Sequence, residues 1–75
     1  MSYAEEAIYM AKVKLQWAED GFRKSARNLK ESIDRSTNDE IIEMAKALSL
    51  DKIILDEAEE YYNYIIERYG KEVEQ

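Results

Sequence analysis

The residues best suited to chemistry are the carboxylates Asp56, Glu57, Glu59, Glu60 and Glu67 and the hydroxyls Ser25, Ser32, Ser36 and Ser49. Carboxylates in a helical chain could hold a metal pair, and a serine could act as a nucleophile. Both chemistries need companions that this chain lacks. It has no His and no Cys, which removes the commonest transition-metal ligands and the usual general base near neutral pH. Carboxylate di-iron bundles use inward Glu-x-x-His pairs, and a serine nucleophile needs a base beside it. Acid–base work by two carboxylates needs an apolar cleft that separates their pKa values. No glycine-rich loop is present to hold a phosphate. The expectation is a non-enzymatic protein with no catalytic, cofactor-binding or metal-binding residues, its carboxylates forming an outward acidic face.

Two other groups could carry a binding function. Arg23, Arg27 and Lys30, with Lys24 beside them, follow one another at helical spacing and make a basic stripe that could meet RNA or phosphate. The plain alternative is a solvated face balanced by Glu31 and Asp34. Tyr61, Tyr62, Tyr64 and Tyr69 are either a tyrosine-rich binding surface or the packed end of a bundle with hydroxyls reaching water. The net charge is −6, and it is uneven. Residues 1–36 carry seven basic and six acidic side chains, and residues 37–75 carry four and eleven. So acidic a second half argues against a broad nucleic-acid or anionic-membrane surface.

The elements that position these groups are read from a seven-residue rhythm. In the first arm Ile8, Leu15, Phe22 and Leu29 recur at one seam position, with Ala4, Ala11, Ala18, Ser25 and Ser32 at the complementary one. In the second arm Ile41, Leu48, Leu55, Tyr62 and Tyr69 alternate with Met44, Ala58 and Ile65. Such a seam predicts helices that pack along one stripe, and the small residues let a neighbour approach closely. Between the arms lies Ser36-Thr37-Asn38-Asp39-Glu40. Thr37 and Glu40 have capping-box spacing, and Asp39 and Glu40 place negative charge where the helix dipole favours it. An all-α hairpin follows, with helices over about 3–35 and 38–69, each roughly 50 Å long.

Three positions leave choices open. Gly21 either sits inside a continuous first helix, at a cost of roughly 1 kcal/mol against Ala, or ends it and gives a three-helix bundle. The rhythm Leu15–Phe22–Leu29 stays in phase across it, which favours continuity. Asp51 interrupts the second seam as a cap, as a solvated residue, or as a paired polar position that fixes register. Gly70 suits the residue after a helix end, with Lys71 to Gln75 fraying beyond.

Seventy-five residues make one helical domain, near the size at which a single core contributes only ~3–5 kcal/mol. Disulfides cannot help, so self-association is the remaining source of burial. The seam also leaves apolar residues over. Tyr3, Met10, Val13 and Trp17 form a second stripe on the first arm, and Leu50, Ile53 and Tyr64, with Ile54 and Tyr61 beside them, form one on the second. Two helices cannot bury four stripes, and an exposed patch of this kind marks an interface. A homodimer closing into a four-helix bundle is therefore expected. Nothing in the sequence reads as a membrane span or a signal peptide, which makes a cytoplasmic protein the default.

The equal-armed hairpin with small seam residues resembles, in architecture, the Rop type of dimeric four-helix bundle, which implies RNA regulation through a basic helix stripe. Asp20-Gly21-Phe22 followed by Ser25, Leu29, Ser32 and Ile33 is similar to the turn and second helix of tetratricopeptide-like units. Leu55-Asp56-Glu57-Ala58-Glu59 is similar to the last helix of three-helix MIT (microtubule-interacting and transport) modules. Those two resemblances imply peptide binding by a three-helix fold with its turn at Gly21. The residues themselves favour a small interaction or adaptor protein that presents its helix faces as a dimer. An engineered helical protein without biological activity would share these features.

Overall fold

The computed structural model describes residues 2–74, with side chains up to Glu72. Helix α1 spans Tyr3–Ser32, a single 3-10 turn follows over Ile33–Arg35, and helix α2 spans Asn38–Glu74. The two helices lie side by side as an antiparallel hairpin. Its extents are 55 × 16 × 13 Å, so the molecule is one helix thick. The radius of gyration is 16.7 Å, against about 11 Å for a globular chain of this length.

Each helix starts on a cap that the local sequence supplies. Ser2, in extended conformation, accepts from the Glu5 N–H at 3.1 Å. The same Ser-x-x-Glu spacing recurs at the turn. There the Glu40 N–H donates to Thr37 Oγ1 at 3.2 Å, and the Thr37 N–H donates to Glu40 Oε1 at 3.1 Å. This reciprocal pair satisfies two backbone groups that a helix start leaves open. On the other side of the turn, the Ser36 hydroxyl donates to the Ser32 carbonyl at 2.6 Å and satisfies one end of α1. The chain thus reverses over two residues, Ser36 and Thr37, and the first arm tightens into 3-10 geometry before it does so.

Helix α1 runs through Gly21 without a break, and no glycine has positive φ. The three-helix alternative with a turn at Gly21 is therefore not the fold. A methyl group built at Gly21 meets nothing within 4 Å, so this glycine leaves a gap on the surface of α1 and not a turn. Gly70 departs from expectation. Helix α2 continues past it to Glu74, and Lys71 to Glu74 are helical where fraying was expected; Gln75 lies outside the described residues. The physical reason is that residues after Gly70 are ordinary helix formers, and a β-carbon at Gly70 would make only a 3.7 Å contact with Ile66. Nothing there demands the left-handed conformation of a C-terminal cap.

The seam is the core, and it is thin. Ala4, Ala11, Leu55 and Ile65 are buried, with Ala11 fully so. The remaining seam residues, Ile8, Leu15, Phe22 and Leu29 facing Ile41, Leu48, Tyr62 and Tyr69 among them, are half-buried. Small residues at Ala4 and Ala11 remove the bulk that would hold the helices apart at the open end, where Tyr3 packs edge-on against Tyr69 with ring centroids 5.6 Å apart.

Asp51 is a paired polar position. It lies within α2 and is half-buried, and its carboxylate accepts a hydrogen bond from the Ser25 hydroxyl. Both residues occupy the small-residue row of the seam, and theirs is the cross-helix hydrogen bond within that row. Sliding either helix by a turn would leave the carboxylate facing apolar side chains. A Ser25→Ala/Asp51→Ala double-mutant cycle in thermal unfolding is expected to show a coupling of about 1 kcal/mol.

The turn gives a prediction in pH. Hydrogen bonds from the Thr37 backbone and then from its side chain hold the Glu40 carboxyl below its ordinary pKa. A depressed acid stabilises the fold above its unfolded pKa and loses that contribution as pH falls through the folded value. Glu40→Gln should therefore melt at a lower temperature than the parent at neutral pH. That difference should close as pH falls towards about 3.

Candidate interaction face

Antiparallel pairing places matching flanks of the two seams on the same side of the hairpin. One flank consists mainly of Glu5, Lys12 and Glu19 from α1 with Lys52 and Glu59 from α2. The opposite flank carries Lys14 and Gly21 from α1 with Ile54 and Tyr61 from α2, and next to these stand Trp17 and Glu57. The first flank also carries the exposed Ile33 and Ile66, so both flanks mix charged and apolar groups, and the second is set apart by Trp17, Ile54 and Tyr61 around one groove.

The second face holds a groove of about 600 Å³ between the helices. Trp17, Ala18 and Gly21 form its α1 wall, and Ile54, Ala58 and Tyr61 its α2 wall. Lys14, Asp51 and Glu57 supply the polar groups of the rim. Small residues set its depth, since Ala18, Gly21 and Ala58 leave the space that larger side chains would fill. Lys14 Nζ lies 5.4 Å from the centre of the Tyr61 ring, a cation–π distance that ties the two walls together on the open-end side. Trp17 projects beside the groove and is 71% exposed.

The expected interface residues separate into groups. Trp17 and Tyr61 meet in the groove, joined by Ile54. Tyr3 is at the open end against Tyr69. Leu50 lines a shallow dip on the outer surface of α2 with Ile42 and Ala45, and Tyr64 lines a polar one with Glu67 and Arg68. Met10 and Ile53 are exposed without such company, and Val13 is half-buried. Lys14, Ala18, Gly21 and Ala58 were not expected as interface residues. Their signal was available in the seven-residue steps Lys14–Gly21 and Ile54–Tyr61, which run beside the seam in both arms.

At the open end the phenols are electrostatically unequal. Hydrogen bonding with Arg68 and then with Tyr3 lowers the pKa of Tyr69, whereas hydrogen bonding with Tyr69 and its charge raise that of Tyr3. Ion pairs are all local to one helix among the described residues: Glu19–Arg23 at 3.8 Å, Glu43–Lys46 at 3.3 Å and Lys52–Asp56 at 2.6 Å. They do not hold one helix to the other. Asp56, Glu57, Glu59, Glu60 and Glu67 are exposed, and no group of three or more acidic residues among the described ones is placed to hold a metal. Ser25 and Ser36 are occupied by the structural hydrogen bonds already given. No described helix is long and apolar enough to cross a membrane.

The chain matches no family model, and comparison with curated proteins and with solved structures yields no match.

Arg23, Arg27 and Lys30 are exposed on the outer surface of α1, away from both the seam and the groove. Only Arg23 approaches a carboxylate, that of Glu19. Replacing all three by Gln should leave helicity unchanged and the melting temperature within a few degrees of the parent, because exposed single-helix ion pairs contribute little. Circular dichroism during heating checks this.

Proposed function

We propose that this chain is a non-enzymatic interaction protein that works as a homodimer, two hairpins closing into a four-helix bundle through the Trp17–Tyr61 face. The observation that supports it best is the mismatch between what the hairpin buries and what it leaves in water. Among the described residues four side chains are buried, while Trp17, Ile54 and Tyr61 stand exposed around one groove. The accessible surface is 6076 Å², against about 4,800 Å² for a globular monomer of 8.9 kDa. Two copies that each removed the excess, roughly 1,200 Å², would bury an area in the range of obligate homodimers.

In this reading the first flank and the outer helix surfaces remain free to meet a protein partner, and the composition suits a cytoplasmic setting. RNA regulation through Arg23, Arg27 and Lys30 is the second reading, favoured by the exposure of all three on one helix. The two readings part on one measurement. RNA binding at about 150 mM salt that is lost in the Gln triple variant would favour the second.

Self-association is tested directly. Light scattering at tens of micromolar should give twice the chain mass, and the melting temperature should fall on dilution. Trp17 emission should move to shorter wavelength as the protein concentrates. Trp17→Ala should weaken the dimer by a hundredfold or more, about 3 kcal/mol, as expected for a buried aromatic anchor. A monomer mass with a melting temperature independent of dilution would overturn the proposal.

A further inference from the structure

Two such faces can close in two ways. In one, α1 lies on the second copy's α1 and α2 on its α2, and the two turns point to opposite ends. In the other, each α1 lies on the second copy's α2, and both turns point the same way. We infer, on the basis of the self-association proposed above, that the dimer takes the second form, with a two-fold axis parallel to the helices and each α1 flanked by two α2 helices.

The charge distribution carries the inference. Residues 1–36 bear seven basic and six acidic side chains, and residues 37–75 bear four basic and eleven acidic ones. The first arm is therefore slightly positive and the second strongly negative. Neighbouring helices in a bundle lie about 8–10 Å apart, within one Debye length at ~0.1 M salt, so their charges act on each other. Packing α2 on α2 would place the two acidic helices in contact. Alternating α1 with α2 keeps each acidic helix between two that are not acidic.

Side-chain shapes agree with this arrangement. An axis parallel to the helices leaves every residue at its own height, so a side chain of α1 meets on the second copy's α2 the residues it is level with in its own hairpin. Trp17 is level with Ile54 and Glu57, since all three line one groove. Its ring would therefore enter the second copy's groove beside Ile54 and Ala58. Lys14, level with Tyr61, would approach the second copy's Glu57 one turn away. Each copy offers the same projection and the same hollow, as a two-fold interface requires.

The absence of cysteine makes single-site labelling direct. Arg35→Cys places a nitroxide label at the turn, on an exposed residue outside both α-helices. Dipolar electron resonance on the labelled dimer should give a distance of roughly 20–30 Å, the width of a bundle plus the label arms. Lys71→Cys near the other end should give a similarly short distance. Distances near the 55 Å length of the hairpin at both sites, in a protein of dimer mass, would overturn this arrangement and leave the dimer standing. A monomer mass with no dipolar coupling at either site would overturn the dimer and the arrangement together.

Discussion

Two helices can bury one seam, and this limit shapes everything else about the molecule. The facing rows of Ile8, Leu15, Phe22 and Leu29 and of Ile41, Leu48, Leu55 and Tyr62 meet along a line, not around a centre. A line of contact shields side chains from two directions and leaves the third open. That is why, among the described residues, only Ala4, Ala11, Leu55 and Ile65 are buried, and why bulky seam residues remain half in water. Burial of apolar surface is the main favourable term in folding, so a molecule one helix thick must draw stability from local terms or from a second molecule.

Local terms are well developed here. Both helices begin on a hydroxyl cap followed by a glutamate three residues later. The turn is closed from each side by side-chain hydrogen bonds. Three ion pairs sit at helical spacing. These devices favour helix and fix where it starts, but none of them decides how one helix sits against the other. That role falls to the Ser25–Asp51 layer, where a carboxylate within the seam accepts a single hydroxyl partner from the opposite helix. Apolar rows tolerate sliding, and a half-buried carboxylate does not, because it would lose its donor.

The groove and the charge asymmetry are two consequences of one composition. Small side chains at Ala18, Gly21 and Ala58 that allow close approach also leave a hollow beside the seam. Gly21 costs helix stability in α1, and the space around it on the groove wall is open. The acidic excess of the second arm, four basic against eleven acidic side chains, makes the two helices electrostatically unequal.

The sequence by itself determined the helices, the turn and the seam. Periodicity at seven residues and the Thr37–Glu40 spacing are local properties, set by which side chains are neighbours along one helix. Continuity through Gly21 was legible for the same reason, in the unbroken phase of Leu15, Phe22 and Leu29. The end of α2 was less legible, since a glycine permits a helix to stop without requiring it. Only the tertiary structure decided the role of Asp51, because its partner Ser25 is 26 residues away and no local signal selects among a cap, a solvated carboxylate and a cross-helix pair. It also decided which leftover apolar residues share a surface. Trp17 and Tyr61 line one groove, whereas Leu50 and Tyr64 line separate hollows. That grouping depends on the direction and height at which one helix lies against the other, and a single helical pattern does not contain either.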